Sequence, residues 1–291
     1  MDMTDEGRRR KLISVFQDTQ KFYAEDTVLG KAIKYSQEHT KLYQADDYPA
    51  LSPIVERRRG KVWVIKARSF EAAMSMHRDF PSEKIAVLNF ASATNPGGGV
   101  RNGSNAQEES LCRCSTLYPA INQKWLWTKY YGVNRSAHDC LHTDACIYSP
   151  GVIICKTDKD IPKRMKSGDF VTVDVITCAA PNLRHIPSNG NNPETGVPTR
   201  IEPQQLYSLH VRRAKHILHI AAVNNAGILI LGAFGCGAFR NDPHIVAKAY
   251  NTAIEEYRDR FDSIVFAIYY RDYETENFNA FQQELCPERS V

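Results

Sequence analysis

The most constraining feature of the sequence is the stretch from Val87 to Glu109, where a strand, a glycine loop and two carboxylates follow one another. An apolar run as long as a buried strand turns small and polar, and Pro-Gly-Gly-Gly follows at residues 96–99. Three consecutive glycines are costly to order, so a chain carries them where the backbone takes positive φ or closely approaches another group. Gln107 and Glu108 then open a predicted helix. A backbone cradle beside a helix start suits a phosphate, and paired carboxylates suit acid–base chemistry.

This order of residues resembles the signature of the macrodomain-type poly(ADP-ribose) glycohydrolases, which is three glycines, a short spacer and Gln-Glu-Glu. Here the signature reads GGG-VRNGSNA-QEE. A second segment, LGAFGCGAFRNDP at residues 231–243, resembles the other ligand loop of the bacterial-type branch of that family. Shorter matches are YSPGV at 148–152 and TCAAPN at 177–182, and the resemblance covers residues 61–286.

From Lys61 onwards, apolar runs of strand length alternate with segments of helical periodicity. This alternation predicts the α/β class, with a mixed or parallel sheet covered on both faces. Both glycine loops leave predicted strands and enter predicted helices, so we expect them at the same carboxyl edge of the sheet. The resemblance implies a macrodomain-like three-layer α/β/α sandwich with a mixed sheet.

Two segments stand apart from this alternation. Residues 8–44 have partial helical periodicity with a predicted break at Gly30, so we predict an N-terminal accessory helical segment and connector over 1–60. The macrodomain-like catalytic domain is then predicted to span 61–291. Residues 184–205 contain four prolines, two glycines and three asparagines, which predicts an exposed excursion placed to lie over the site.

Composition restricts the environment more than the function. The chain has 291 residues and a net charge of +4, a basic excess too small to imply nucleic acid by itself. It has eight cysteines without framework spacing, no apolar run that would span a bilayer and no secretory signal at the N-terminus. We therefore expect a cytoplasmic monomer with reduced thiols and no membrane association, or a nuclear one if the source is eukaryotic.

The two neighbouring glutamates have a structural and a catalytic interpretation. Carboxylates at a helix start commonly complement the helix dipole. The glycine cradle before them favours catalysis, because glycosidic cleavage needs a proton donor on the leaving oxygen and a base for water. If both carboxylates face a ligand, their repulsion should raise one apparent pKa. The resemblance implies that Glu109 protonates the leaving ribose oxygen and then activates water, while Glu108 holds ribose hydroxyls.

The predicted substrate contacts come from both loops. The alternating glycines of the second loop would let amide N–H groups converge on a diphosphate, although a tight strand-to-helix turn would look the same. The asparagines could instead cap a turn, and Phe239, which by resemblance packs on the distal ribose, could instead anchor the core. The predicted substrate-binding residues are Asn89, Asn95, Gly97, Gly98, Gly99, Gln107, Gly235, Cys236, Gly237, Ala238 and Phe239.

Two other site classes are disfavoured. The His, Asp and Cys residues between His138 and Cys146 lack the spacing of a closed structural metal site, so we predict no metal. Gly235 and Gly237 begin a dinucleotide-binding pattern, but Arg240 occupies the place of its third glycine. We predict no redox or other cofactor.

The sequence therefore predicts a glycosidase that hydrolyses the ribose–ribose bond of poly(ADP-ribose) or acts on an ADP-ribosylated macromolecule, with ADP-ribose as product. One alternative is a hydrolase of mono-ADP-ribose linked to protein or nucleic acid, which shares the same bound moiety. The other is a non-catalytic ADP-ribose-binding macrodomain. The intact Gln-Glu-Glu triplet disfavours this last class, because a binding module needs no paired acids.

Overall fold

The computed structural model describes residues 4–54, 58 and 60–286. The strands are β1 (Lys41–Tyr43), β2 (Lys61–Ile65), β3 (Ile85–Phe90), β4 (Cys146–Ile154), β5 (Val171–Cys178), β6 (Ile228–Leu231) and β7 (Ser263–Ala267). The helices are α1 (Asp5–Glu25), α2 (Thr27–His39), α3 (Ser69–Asp79), α4 (Gln107–Cys114), α5 (Leu117–Ile121), α6 (Lys124–Leu126), α7 (Gly132–Ala137), α8 (Pro203–Val223), α9 (Pro243–Tyr257) and α10 (Glu276–Leu285). A π-helical turn spans Trp127–Tyr131, and 3-10 turns span Val100–Asn102, Ser167–Asp169 and Arg258–Arg260.

All seven strands form one mixed sheet in the order β1-β4-β5-β3-β6-β7-β2. The five strands from β5 to β2 are parallel, whereas β4 runs antiparallel to β5 and β1 antiparallel to β4. The carboxyl ends of the parallel strands therefore share one edge. Both glycine loops leave from this edge, one after β3 and one after β6. The predicted α/β class and mixed sheet are confirmed.

The central strand β3 shows why the sheet is covered on both faces. Its residues Ile85 to Leu88 are all buried, and they alternate between two hydrophobic cores because strand side chains point to opposite faces. Ala86 and Leu88 pack in the core that contains residues of α8 and α9. Ile85 and Val87 pack in the core that contains residues of α3 and α4. Two helical layers with the sheet between them make the three-layer sandwich that the resemblance implied.

The N-terminal segment packs tightly on this sandwich. Phe16 of α1 belongs to the same core as α3 and α4, and its ring centroid lies 5.1 Å from that of Tyr118. The Lys156 ammonium is buried and lies 2.8 Å from the Asp18 carboxylate of α1. Strand β1 extends the sheet beside β4. The division of the chain at residue 60 stays a prediction.

The predicted break at Gly30 is wrong. The break between α1 and α2 falls at Asp26, whose carboxylate accepts hydrogen bonds from the backbone N–H groups of Val28 and Leu29. Gly30 lies inside α2. A side chain that caps a helix start therefore outweighs the low helix propensity of a glycine four residues later. Across the described residues, every helix is too short or too polar to cross a lipid bilayer.

Replacing Phe16 by alanine tests whether α1 belongs to the core. Phe16 is 2% exposed, so Phe16→Ala is expected to lower the free energy of unfolding by about 3–5 kcal/mol. Urea denaturation measures this loss. The matched control is Gln17→Ala, at an exposed position of the same helix. A loss at Phe16 no larger than that at Gln17 would mean that α1 is not a structural part of the core.

Candidate active site

The first glycine loop folds over the two glutamates. Gly97 and Gly98 have φ angles of 72° and 53°, in the left-handed region that favours glycine. A Cβ atom at Gly98 would lie 2.6 Å from Glu109 Oε1 and 3.2 Å from Glu108 Oε2. Any side chain at residue 98 would therefore push the carboxylates out of place, which explains why glycine stands there.

Glu108 is held by three N–H donors. Its Oε1 atom accepts hydrogen bonds from the backbone of Gly97 at 3.2 Å and from Asn89 Nδ2 at 3.3 Å. Its Oε2 atom accepts one from the backbone of Ser92 at 2.8 Å. Only 3% of Glu108 is exposed. The predicted sites Asn89, Gly97 and Glu108 are thus brought together at one point.

Burial decides the ionisation of Glu108. Removing this carboxylate from water, with a further contribution from the charge of Glu109, raises the pKa of Glu108 from 4.5 to about 8. The N–H donors from Ser92, Asn89 and Gly97 act in the opposite direction but do not outweigh burial. A protonated carboxyl group is therefore present in the pair at neutral pH. The predicted rise of one pKa is confirmed, but burial is a larger cause than repulsion.

Glu109 is the second buried carboxylate, and it also closes the start of its own helix. Its Oε1 atom accepts a hydrogen bond from the backbone of Gly99 at 2.8 Å, and its Oε2 atom accepts one from the backbone of Ala106 at 3.0 Å. Ala106 is the residue that precedes α4. One carboxylate thus contacts both the residue before α4 and the glycine loop. The structural interpretation of Glu109 is supported, and its catalytic role stays a prediction.

Gln107 joins α4 to the end of β3. Its side-chain oxygen accepts from the backbone of Phe90 at 2.9 Å, while its amide nitrogen donates to Leu88 O at 2.7 Å and to Ser69 Oγ at 3.0 Å. These contacts use both amide hydrogens and one oxygen lone pair. They fix the direction in which α4 presents the glutamates. A contact between Gln107 and a substrate stays a prediction.

The two predicted asparagines lie in different elements, Asn89 on β3 and Asn95 at the start of the glycine loop. Asn89 is fully buried on β3 and also donates from Nδ2 to Thr177 Oγ1 of the neighbouring strand at 3.1 Å. Its Oδ1 atom has no hydrogen-bond partner among the described residues. Asn95 is partly buried, and its Nδ2 donates to Gly98 O at 2.6 Å. Asn95 thus braces the glycine loop from within, and substrate contacts of both asparagines stay predictions.

The second glycine loop lies beside the first. The Phe90 and Phe234 ring centroids are 5.7 Å apart, which links the end of β3 to the loop after β6. Gly235 has a φ of 81°, and a Cβ atom there would lie 2.7 Å from both Ala180 and Asn241. A Cβ atom at Gly237 would meet no atom within 4 Å. Gly235 is therefore required by close packing, whereas Gly237 leaves exposed backbone open.

The remaining predicted residues of this loop are exposed to different degrees. Ala238 is exposed, while Cys236 and Phe239 are partly buried. Burial raises the pKa of the Cys236 thiol, so this group is a neutral thiol at ordinary pH. The Phe239 ring packs against the core and lies 6.4 Å from the His142 ring, measured between centroids. The core-anchor interpretation of Phe239 is thereby supported, and its contact with a ribose stays a prediction.

Sequence reasoning missed the residues that support both loops. Asn241 is buried and donates from Nδ2 to Pro181 O at 2.7 Å and to Gly235 O at 3.0 Å, while its Oδ1 lies 2.9 Å from His210 Nε2. Arg113, 1% exposed, donates to Ser104 O at 2.6 Å and holds the spacer before Glu109. Their partners are distant along the sequence or are backbone oxygens, so no local motif identifies them. The one available signal was a basic residue, Arg113, between two cysteines of a helix.

The predicted excursion over 184–205 does reach the first loop. Asn191 donates from Nδ2 to Ser104 Oγ at 2.8 Å, and Asn102 Nδ2 donates to Asn191 Oδ1 at 3.3 Å. A Cβ atom at Gly99 would lie 2.5 Å from the Asn191 side chain. The excursion therefore covers the Gly99 side of the loop, next to Glu109.

The His, Asp and Cys residues near His142 take part in other contacts. Asp144 is buried and pairs with Arg213 at 2.7 Å and with Arg212. Within the ranges that the structure describes, no group of three or more His, Cys, Asp or Glu side chains could hold a metal ion.

Comparison with known proteins gives a consistent picture. Residues 14–157 match the family model described as "Microbial-type PARG, catalytic domain". The solved structure of poly(ADP-ribose) glycohydrolase from Deinococcus radiodurans in complex with ADP-ribose is 34% identical, with a TM-score of 0.73 over 88% of this chain and 98% of that chain. The enzyme from Thermomonospora curvata is 25% identical, with a TM-score of 0.80 over 95% of this chain and all of that chain.

A third solved structure, the Thermomonospora curvata enzyme bound to the inhibitor ADP-HPD, is 25% identical with a TM-score of 0.77. It is matched over 94% of this chain and 99% of that chain. The macrodomain-like sandwich implied by the sequence is confirmed by these similarities. A search among curated proteins gave no match.

The buried carboxyl of Glu108 predicts a pH-dependent stability. Because its pKa is about 8 in the folded protein and 4.5 as an ordinary side chain, the folded state binds more protons between these values. Its contribution to stability is complete below pH 4.5 and is lost as pH rises towards 8, at up to about 1.4 kcal/mol per pH unit. Glu108→Gln removes this titration, so its free energy of unfolding should fall less over that window.

Urea denaturation at about pH 5.5 and about pH 7.5 measures the effect as a difference of differences. From the lower to the higher pH, the free energy of unfolding of the wild type should fall by about 2–3 kcal/mol more than that of Glu108→Gln. Glu38→Gln, at an exposed carboxylate of α2, serves as the control and should follow the wild type. Parallel curves for wild type and Glu108→Gln would show that Glu108 is ionised in the folded protein.

Proposed function

The chain belongs to the microbial-type poly(ADP-ribose) glycohydrolases, and from this membership we propose that the two glycine loops form its active site. A relative 34% identical along 98% of that relative's length establishes the family. The protein is a glycosidase that hydrolyses poly(ADP-ribose). What we propose beyond this is the role of each residue in releasing ADP-ribose.

We place the substrate from the position of the two carboxylates and from the exposed backbone of the second loop. ADP-ribose is the ligand in the Deinococcus complexes, and we place the same moiety across both loops here. The terminal ribose lies at Gly97, Gly98 and Gly99, within reach of the carboxylates. The diphosphate lies on the second loop, where the exposed backbone at Gly237 leaves room for a ligand. Phe239 lies at the end of that loop, next to the bound unit.

Glu109 is the acid and base of the proposed reaction. Its carboxyl group donates a proton to the ribose oxygen of the leaving group, which is the rest of the poly(ADP-ribose) polymer. The C–O glycosidic bond then breaks. The resulting oxocarbenium-like ribose is attacked by water, which gives its proton to the Glu109 carboxylate. The products are ADP-ribose and a shortened chain, and Glu109 returns to its protonated form.

Glu108 complements this role by keeping a proton in the pair and by binding ribose hydroxyls. Both carboxyl groups approach Gly98, so a proton carried by Glu108 can be passed to Glu109 in the proposed reaction. Burial keeps that proton bound until about pH 8. The pair therefore starts each cycle with the one proton that cleavage consumes.

The observation that carries the proposal is the burial of two adjacent carboxylates against a glycine loop, at 3% and 6% exposure. Burying carboxylates destabilises the folded protein, and binding of ADP-ribose alone does not require buried carboxylates. A non-catalytic ADP-ribose-binding protein is therefore disfavoured. The predicted monomeric state, the absence of a cofactor and the lack of membrane association remain predictions.

Replacing Glu109 by glutamine tests the proposal. Glu109→Gln keeps the size of the side chain but removes the transferable proton, so ADP-ribose release from poly(ADP-ribosyl)ated protein should fall by about 10²- to 10⁴-fold. Isothermal titration with free ADP-ribose should give a dissociation constant within about threefold of the wild type, since glutamine keeps the side-chain volume and one of the two acceptor oxygens. Glu38→Gln is the control and should match the wild type in both assays.

Two outcomes would contradict the assignment. Release by Glu109→Gln at the wild-type rate would exclude Glu109 as the acid. Binding of ADP-ribose without release by the wild type would contradict hydrolysis of the polymer, and mono-ADP-ribosylated protein and nucleic acid would then be the substrates to assay.

The raised pKa of Glu108 also predicts the pH dependence of the rate. Because the raised pKa means that the proton is bound below about pH 8 and lost above it, kcat/KM for polymer should decline on the alkaline side of pH 8. A pH–rate profile of ADP-ribose release from about pH 6 to about pH 10 measures this limb. A rate that rises through this range would mean that the reaction needs no protonated carboxyl group.

A further inference from the structure

A positively charged surface borders the active site on the side of Glu109. It is formed by the first turns of α1 and by the 3-10 turn that follows the glycines. We propose that this surface, which we call the cationic margin, binds the part of the poly(ADP-ribose) chain beyond the scissile bond. The proposal rests on the function proposed above. The cationic margin consists of Arg8, Arg9, Arg10, Lys11 and Arg101.

Cations outnumber carboxylates at this margin. Together with Arg68 it has six cations, and the carboxylates near them are Asp5, Glu6, Asp158 and Asp160. The local net charge is therefore +2, which is half of the +4 of the whole chain. Charge of one sign collected on one surface attracts a polyanion.

Two arginines of the margin are fixed in place yet keep free donors. Arg9 donates from Nε to Asn102 O at 2.6 Å, so the first turns of α1 are attached to the 3-10 turn. The Arg101 guanidinium stacks 5.4 Å from the centre of the Tyr118 ring. Both residues are exposed, and no carboxylate in the described part of the chain forms an ion pair with either. Guanidinium groups held in this way suit phosphate oxygens.

The direction of the bound substrate selects this side. The second loop leads into α9, whose residues pack on one face of the sheet, whereas α1 packs on the opposite face with α4. If the diphosphate of the bound unit lies on the second loop, the bond at Glu109 points away from it. The Glu109 carboxylate accepts hydrogen bonds from the backbone N–H groups of Gly99 and Ala106. These two residues flank the segment that contains Arg101 and the 3-10 turn. The rest of the poly(ADP-ribose) polymer must therefore leave the active site along the cationic margin.

The chemistry of that part of the substrate matches the margin. Each further ADP-ribose unit carries a diphosphate, so the chain is a flexible polyanion. Cations that neutralise its phosphates release counterions, which makes binding stronger at low salt. A mono-ADP-ribosylated substrate has no such extension. The margin therefore favours polymer over a single unit without touching the bound ADP-ribose.

The test compares polymer with free ADP-ribose. Arg9→Gln/Arg101→Gln should raise KM for long polymer about tenfold at low salt and reduce the slope of log KM against log salt by about one. The dissociation constant of free ADP-ribose, measured by isothermal titration, should stay within about twofold. Arg9→Lys/Arg101→Lys keeps the charges and should recover most of the wild-type KM.

The matched control removes two cations from the other face. Lys215→Gln/Lys248→Gln, on α8 and α9, changes the net charge equally and should leave KM for polymer at the wild-type value. Because Arg9 also holds Asn102, Arg10→Gln/Lys11→Gln provides a second variant without a loop contact, and it should raise KM at least threefold, or about 0.7 kcal/mol.

Several results would overturn the proposal. An unchanged KM for polymer in both margin variants would exclude the surface. An equal loss of affinity for free ADP-ribose would mean that the arginines only support the loop. Competition by single-stranded DNA as strong as by polymer would assign the surface to nucleic acid. A wild type that releases no ADP-ribose would refute the proposed function instead, and direct binding of labelled polymer would still test the margin.

Discussion

The structure depends on keeping two neighbouring carboxylates out of water. Buried carboxylates are tolerated only where donors replace the lost hydration, and here most donors are backbone N–H groups of the first loop. The glycines serve the same purpose, because positive φ at Gly97 and Gly98 brings the loop over the carboxylates. A missing Cβ at Gly98 lets both oxygens approach. The conformation of the first loop therefore determines both the burial and the hydrogen bonding of the two carboxyl groups.

The carboxylates also depend on the placement of α4, which is fixed at both ends. At its start, Gln107 bonds the last residues of β3. At its end, the hydroxyl of Thr19 donates to Arg113 O at 2.7 Å, which joins α4 to α1. The N-terminal helix thus lies directly behind the helix that carries the Gln-Glu-Glu signature. A segment that lies outside the recognisable motifs nonetheless helps to set the position of the glutamates.

Much of the fold follows from local sequence, whereas the support of the site does not. The alternation of strand and helix patterns predicted the sheet class, and the two glycine loops predicted the edge from which they leave. Strand β1 has only three residues, too few for a periodic signal, so its place in the sheet could not be predicted. Asn241 and Asn191 act on distant loops, and no spacing reveals such partners. A raised pKa was expected for one of the two glutamates from charge repulsion, but the main cause at Glu108 is burial, which a sequence does not report.

The two sides of the active site are built from different kinds of residue. On the side where we propose that ADP-ribose binds, both loops are rich in glycines and small residues, and their geometry is dictated by tight packing at Gly98 and Gly235. On the side where we propose that the rest of the polymer leaves, Asn191 of the excursion and the cationic margin meet at the 3-10 turn. These residues lie outside the Gln-Glu-Glu signature. Because the signature contacts, in the placement that we propose, only the moiety common to every ADP-ribose linkage, discrimination among linkages is expected from the residues on the leaving side.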